Sequence, residues 1–186
     1  MVFYLPFKIP PCRPPVDNFG PGRRGDRVLA RAALGRWPAS GGCVKAVATA
    51  LDDVAIRDIL SSARTIAVVG ASPKAERPVH GVMRYLIGAG YRVVPVNPGH
   101  AGGEILGQPV FARLADIAEP IDIVDIFRRP SALAGVVDEA LALSPLPRTI
   151  WMQLGLRDDA AAAKAEAAGL AVVMNRCIKI EHARLV

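Results

Sequence analysis

The sequence predicts an α/β domain in which a doubly wound parallel sheet lies between two layers of helices, from about residue 44 to the C-terminus. Three observations lead to this prediction. Short aliphatic runs alternate with longer amphipathic segments at the spacing of βαβ units. Hydrophobic residues form 52% of the chain and aromatic residues only 5%, which suits the aliphatic core of a buried parallel sheet. The length of 186 residues fits one such domain.

The first strand–turn–helix unit begins with the predicted strand Thr65–Val69, an apolar run that ends at Gly70. An amphipathic stripe over residues 51–60 predicts a lead-in helix that packs at the edge of the sheet. The segment Val79–Ala89 is the helix that follows the first strand, and Gly90 fits its C-terminal cap.

The second and third strands are separated by a glycine-rich loop. Tyr91–Val96 is predicted as the second strand, which ends at Asn97-Pro98-Gly99, and Gln108–Phe111 as a short third strand. A brief helix is expected over residues 114–118, before a fourth strand at Ile121–Phe127. We expect all these strands to join one sheet.

The C-terminal part of the chain repeats the alternation. Ser131 is predicted to cap a helix that runs to about residue 143, and Thr149–Gln153 is the fifth strand. A helix at Asp158–Ala168, which ends at Gly169, leads to a sixth strand at Leu170–Met174. Because right-handed crossovers join parallel strands, this order predicts a Rossmann-like fold with three layers, α/β/α.

Residues 1–43 differ in composition from the rest of the chain. Pro10-Pro11, Pro14-Pro15 and Gly20-Pro21-Gly22 interrupt an arginine-rich stretch, and neither a helix nor a central strand tolerates such a density of Pro and Gly. We interpret this segment as a disordered extension, or as one that precedes the native start of the protein. A targeting arm and a nucleic-acid-binding tail are the alternatives.

The charge of the chain is concentrated in its N-terminal part. Residues 1–50 hold eight Lys and Arg against two acidic residues, which accounts for the whole formal net charge of +6. The predicted domain is therefore close to neutral, which argues against a nucleic-acid partner. No apolar run reaches 18 residues, so no membrane span is expected.

Cysteine and histidine spacing predicts neither a disulfide framework nor a metal site. The cysteines lie far apart, which predicts a cytoplasmic protein; they are Cys12, Cys43 and Cys177. The histidines lack metal-ligand spacing; they are His80, His100 and His182. The sequence shows neither a Ser–His–Asp set nor a lysine-bearing phosphate loop, so it reveals no catalytic residues.

The candidate site lies at the carboxyl ends of the strands, where ligands bind in open parallel sheets. The turn Gly70-Ala71-Ser72-Pro73-Lys74 follows the first strand, with Arg77 beyond it. Gly70 permits close approach of the backbone, amides at a helix start bind anions, and Lys74 and Arg77 add positive charge. This pattern predicts a phosphate cradle, and the alternative is a tight turn that merely needs glycine. The turn lacks the GxGxxG spacing of NAD sites.

The second strand ends in two candidate residues. Asn97 stands where NAD enzymes place an acid for the ribose hydroxyls, which argues against NAD and leaves room for a phosphorylated ribose. His100 follows in the glycine-rich loop, either as a ligand contact or as an exposed loop residue.

The fourth and fifth strands end in the remaining candidates. Arg128 follows Phe127 between a strand end and a helix start, where it meets either phosphates or solvent. Gln153 can hydrogen-bond a ligand amide, and Met152 forms either core or pocket wall.

Asp122 and Asp125 of the fourth strand alternate with isoleucines, so we expect one or both of these acids to be buried.

Five segments carry a more specific signal. They are IAVVGASPKAERP at 66–78, YRVVPVNP at 91–98, DIVDIFRRP at 122–130, WMQLG at 151–155 and VMNRC at 173–177. In this order they resemble the small bacterial CoA-binding proteins. The domain of those proteins is similar to the N-terminal CoA-binding domain of the succinyl-CoA synthetase α subunit. The resemblance covers roughly residues 50–185.

The resemblance implies coenzyme A as the cofactor. The CoA phosphates would be held by Gly70, Ala71, Ser72 and Pro73. The synthetase has a CoA-contacting lysine at the position of His100. The pantetheine arm would lie near Met152, Gln153 and Leu154. Because the phosphorylated histidine of the synthetase lies in a second domain, the resemblance implies a binding module without ligase activity.

Two alternatives remain beside a protein that binds CoA or acyl-CoA. One is an NAD(P)-binding or redox-sensing domain, and the other is a partner subunit of an acyl-CoA ligase or acyltransferase. Cys177, flanked by Arg176 and Lys179, is either a structural cysteine or a thiol that exchanges with CoA. Ile178 departs from the resembled family, which usually has proline after this cysteine.

Overall fold

The structure, a computed structural model, describes residues 51–186. The predicted N-terminal extension, residues 1–43, lies outside these described residues. The elements, in chain order, are α1 Asp53–Ser62, β1 Thr65–Val69, α2 Pro78–Gly88, β2 Arg92–Val96, β3 Glu104–Ile105, β4 Gln108–Pro109, β5 Ile123–Ile126, α3 Leu133–Leu141, β6 Thr149–Met152, α4 Asp159–Ala167, β7 Ala171–Val173 and α5 Ile178–Leu185. None of these helices is long and apolar enough to cross a membrane.

Five strands form one parallel sheet in the order β2-β1-β5-β6-β7. Helices α1, α2 and α5 pack on one face of this sheet, and α3 and α4 pack on the other. The prediction of a Rossmann-like, three-layer α/β/α fold is therefore confirmed. The chain proceeds from β1 outward to β2, then returns to β5 and proceeds in the opposite direction. The strand order thus reverses between the carboxyl ends of β1 and β5, which is where open α/β sheets bind ligands.

Strand β1 is buried on both faces because it lies inside the sheet and helices cover it on both sides. Side chains alternate along a strand, so Ala67 and Val69 pack towards α3 and α4, while Ile66 and Val68 pack towards α1, α2 and α5. A continuous run of small and branched aliphatic residues is the pattern that such a strand requires.

The helix ends that the sequence predicts at two glycines have the expected geometry. Gly90 has a φ of 94°, and its N–H donates to the carbonyl oxygen of Ile87 at 3.0 Å. Gly169 has a φ of 88° and donates to the carbonyl oxygen of Glu166 at 2.9 Å. These contacts close the last turns of α2 and α4, and after each helix the chain enters the next strand directly.

The predicted third strand, Gln108–Phe111, does not join the parallel sheet as a strand. Gln108–Pro109 pairs antiparallel with β3 in a separate two-stranded sheet, and Phe111 forms only an isolated bridge with Val96. Two residues with positive φ, Leu106 and Gly107, connect β3 and β4 as a tight hairpin. Pro109 has no N–H to donate, which is incompatible with a central strand. The parallel sheet therefore has five strands, not the six predicted.

Helix α3 begins one residue later than predicted. Ser131 lies within a 3-10 turn, Pro130–Ala132, and forms no capping bond. The N-cap of α3 is Ala132, which has no side chain that could cap. Pro130 fixes the φ of the first turn residue, so the chain enters a 3-10 turn before the α-helix starts.

Helix α5 was not predicted from the sequence. Its buried face is narrow, since only Ile178 and Glu181 are fully buried among its eight residues. Polar contacts add to this packing: Arg184 donates to Asp53 of α1 at 2.7 Å and, within α5, to Glu181 at 2.6 Å. The hydrophobic period that predicts a helix is therefore weak in this segment.

The ends of β1, β2 and β5 converge at Gly70. The N–H of Gly70 donates to the carbonyl oxygen of Val96 at 2.9 Å, and the N–H of Phe127 donates to that of Val69 at 2.8 Å. Gly70 has a φ of 94°, and a Cβ atom here would lie 2.3 Å from the carbonyl oxygen of Phe127. Both the conformation and the close approach of two backbones therefore require glycine.

We expect Gly70→Ala to lower the free energy of unfolding by more than about 3 kcal/mol, because strain at positive φ adds to an overlap with backbone that cannot move aside. Urea denaturation of the variant measures this loss. Gly135→Ala is the matched control: Gly135 lies within α3, and a Cβ there meets nothing within 4 Å. The control should gain about 0.5–1 kcal/mol. Equal stabilities of the two variants would contradict the packing described for Gly70.

Candidate functional site

A cleft of about 370 Å³ opens at the carboxyl ends of β1, β2 and β5. Eight of the twelve predicted site residues line it, which are Gly70, Ala71, Ser72, Lys74, Arg77, Asn97, His100 and Phe127. Pro78 and Val79, at the start of α2, also line it and were not predicted. A signal for them existed, since a helix that starts directly after a phosphate turn presents its first residues to the same ligand.

Four predicted site residues do not line this cleft. Met152 is completely buried in the core beside α3 and α4, and Pro73 is exposed in the turn. Arg128 is exposed, and its Cδ lies 3.0 Å from the position of a Cβ added at Gly70, so its aliphatic stem lies against the turn. Gln153 is buried, and its amide donates to a carboxyl group in the sheet.

The turn after β1 is fastened to the end of β2. The Nδ2 of Asn97 donates to the carbonyl oxygen of Ala71 at 2.7 Å, and its Oδ1 accepts from the N–H of Gly99 at 2.9 Å. The carbonyl oxygen of Val96 accepts from the N–H of Gly70. Side-chain and backbone bonds thus fix the turn before any ligand binds, which lowers the entropic penalty of binding.

Positive charge surrounds the cleft. Lys74, Arg77 and Arg128 form no ion pair with any residue in the range 51–186. By contrast, Arg92 pairs with Glu119 at 3.1 Å, and five more arginines of that range also pair with acids. The N-terminus of α2 adds the positive end of a helix dipole. The arrangement is suited to an anion.

Asp125 lies completely buried on β5, next to β6. Its Oδ1 accepts from the Nε2 of Gln153 at 2.8 Å, and its Oδ2 has no hydrogen-bond partner within residues 51–186. Burial raises the pKa of Asp125 to about 8, because desolvation outweighs the opposing effect of the Gln153 hydrogen bond. The carboxyl group is therefore mainly neutral at pH 7. Of the two acids predicted in this strand, Asp125 is buried and Asp122 is half-buried, so the expectation that one or both are buried is met.

Cys177 does not line the cleft. It is half-buried at the N-cap of α5 and packs against the core on the α1, α2 and α5 side of the sheet. Its exchange with the CoA thiol stays a prediction. Across residues 51–186, no group of three His, Cys, Asp or Glu side chains is arranged to hold a metal ion.

The fold and the cleft define a Rossmann-like domain with a cationic cleft where its strand order reverses. Residues 64–183 match the family of the CoA binding domain, and the chain belongs to this family. The resemblance found in the sequence is therefore confirmed.

Three similar proteins match about 70% of this chain. The Bacillus subtilis (strain 168) protein YneT is 39% identical over 128 residues, which are 69% of this chain and 92% of that protein. The structure of cell-free ID.343 from Thermus thermophilus has a TM-score of 0.69 at 46% identity, and the match covers 73% of this chain and 100% of that one. A hypothetical protein from Pyrococcus horikoshii OT3 has a TM-score of 0.68 at 41% identity, covering 73% and 92%.

We expect Asp125 to make the chain less stable as the pH rises. The folded state keeps the Asp125 proton up to a pKa of about 8, whereas the unfolded chain releases it near pH 4. The stabilisation is therefore complete below about pH 4 and is lost as the pH rises to about 8. Relative to Asp125→Asn, which cannot ionise, the wild type should lose up to about 1.4 kcal/mol of unfolding free energy per pH unit in this window.

Urea denaturation at several pH values measures this difference. The control is Asp159→Asn, which removes an exposed carboxylate that pairs with Arg157 on the surface. Its pH profile should run parallel to that of the wild type. Identical profiles for the wild type and Asp125→Asn would show that Asp125 is not a buried neutral acid.

Proposed function

We propose that this chain binds CoA or an acyl-CoA in the cleft, with the diphosphate at the turn Gly70-Ala71-Ser72-Pro73-Lys74. The observation that carries the proposal is the junction at the reversal point of the sheet. There, a turn fastened to two strand ends meets the start of α2 and three cations that have no acidic partner in the described range. Membership of the CoA binding domain family supports the same ligand.

The donors at this junction suit a diphosphate. Ser72, Lys74 and Arg77 all line the cleft. Ionic hydrogen bonds from such groups to phosphate oxygens are stronger than neutral ones. No acidic side chain of the described range lines the cleft, so a bound anion meets no like charge there. The exposed Arg128, whose stem lies against the turn, adds a cation at the rim.

The end of β2 suits a phosphorylated ribose better than the free diol of NAD. Asn97 replaces the carboxylate that accepts both ribose hydroxyls in dinucleotide sites. His100, exposed in the cleft, offers a further nitrogen donor for an anion. Phe127, after β5, also lines the cleft and offers an apolar surface there. Met152 and Gln153, whose side chains are buried, take no part in this surface.

Isothermal titration calorimetry of the full chain with CoA, NAD, NADP and ADP tests the proposal. We expect CoA to bind, and ADP to bind more weakly because it carries the diphosphate without the ribose phosphate and the pantetheine arm. No CoA binding at millimolar concentration would overturn the proposal. Binding of NADH without binding of CoA would also overturn the proposal, in favour of a redox-sensing domain.

We expect Lys74→Ala and Arg77→Ala each to weaken CoA binding by about tenfold at low salt, since each removes an ionic hydrogen bond to phosphate. The losses should shrink as salt is added, because screening weakens the exposed pairs. Calorimetry at two ionic strengths measures both effects.

Lys164→Ala is the matched control for net charge. Lys164 is an exposed lysine on α4, where it pairs with Asp138, and its removal changes the net charge by the same amount. This variant should bind CoA like the wild type. An equal loss in the control would assign the effect to overall charge, and wild-type affinity in both cleft variants would place the diphosphate elsewhere.

A further inference from the structure

The Asn97 side chain joins the end of β2 to the turn after β1. Its Nδ2 donates to the carbonyl oxygen of Ala71 at 2.7 Å, while its Oδ1 accepts from the N–H of Gly99 at 2.9 Å. If the carboxamide were rotated by half a turn, oxygen would face oxygen and N–H would face N–H. Both contacts therefore require the same orientation of the group.

This orientation fixes the next peptide unit of the turn. The carbonyl of Ala71 and the N–H of Ser72 belong to one planar trans peptide, so they point in opposite directions. While Asn97 holds the carbonyl, the Ser72 N–H is held on the other side. That N–H makes no hydrogen bond with any residue in the range 51–186, and Ser72 lines the cleft.

The neighbouring backbone donors of the turn are already occupied or absent. The N–H groups of Gly70 and Ala71 donate to the carbonyl oxygen of Val96 at 2.9 and 3.4 Å. Pro73 has no N–H, and the N–H of Lys74 donates to the Ser72 hydroxyl at 3.3 Å. The Ser72 N–H is thus the backbone donor that the first part of the turn keeps for a ligand.

We propose that Asn97 is a positioning residue, which acts through the Ala71 carbonyl to aim the Ser72 N–H at the bound phosphate. This inference rests on the proposed function, and it separates Asn97 from the groups that contact the nucleoside. A carboxylate at this position could accept from Gly99 but would set negative charge against the Ala71 carbonyl. Position 97 can therefore hold either an acid that binds a ribose diol or an amide that anchors this turn, but not both.

Two variants separate positioning from direct contact. Asn97→Ala removes both hydrogen bonds. Asn97→Ser keeps a hydroxyl that can accept from the Gly99 N–H but is too short to reach the Ala71 carbonyl, so it retains the local turn if the alanine variant fails to fold. Affinities for CoA are measured by calorimetry, and those for inorganic pyrophosphate by competition with CoA.

We expect both variants to weaken the binding of CoA and of pyrophosphate by the same factor. This factor is about tenfold, which corresponds to the loss of one well-placed hydrogen bond. Equal factors arise because both ligands use the Ser72 N–H. A loss for CoA with unchanged pyrophosphate would show that Asn97 contacts the nucleoside, and unchanged affinities for both would show that it positions nothing. Either result overturns the inference.

The control is Asn175→Gly, which removes a similar hydrogen bond, from the Gly155 N–H at 2.8 Å, in a loop outside the cleft. Glycine keeps the positive φ of 54° at this position. This variant should bind both ligands like the wild type. If the wild type itself does not bind CoA, the proposed function fails, and this outcome is distinct from a failure of the inference about Asn97.

Discussion

The close approach of two backbones at Gly70 is the constraint on which the rest of the site depends. The carbonyl oxygen of Phe127 occupies the space that a side chain at position 70 would need. This contact brings the end of β5 against the turn after β1, while the Gly70 N–H ties the same turn to the end of β2. Three strand ends therefore meet within a few atoms of each other, at the turn that leads from β1 to the start of α2 at Pro78.

Much of the fold follows from local patterns that the sequence displays. Buried parallel strands need uninterrupted aliphatic runs, and Thr65–Val69 is predicted with the bounds that the structure has. The errors occur where local pattern and tertiary contact disagree. Gln108–Phe111 has strand-forming residues, yet the positive φ at Leu106 turns the chain into a hairpin. Helix α5 buries only Ile178 and Glu181, too few residues to give its sequence a hydrophobic period, and its ion pair between Arg184 and Asp53 of α1 has no local pattern.

The candidate site could be predicted from the sequence as far as the positions of the strand ends could be predicted. Because the carboxyl ends of parallel strands meet at one edge, residues after β1, β2 and β5 could be grouped without a structure. Which side chains face the cleft depends on strand register and on competing partners. The side chain of Met152 points into the core, and that of Gln153 forms a hydrogen bond with Asp125. The bond between Asn97 and Ala71 spans 26 residues, and no local pattern reveals it.

The two acids around β5 show how position in the sheet decides chemistry. Asp122 stands at the amino end, where its Oδ2 accepts from the N–H groups of Arg64 and Thr65 at 2.8 and 3.0 Å, and Arg148 lies 3.4 Å from its Oδ1. Asp125, three residues further, is surrounded by the sheet and has only Gln153 as a partner in the described range. A carboxylate there would lack both solvent and a counter-charge, so its proton is the group that compensates burial. Burial thus favours the neutral form of an acid that lies only two residues before Phe127, which lines the cleft.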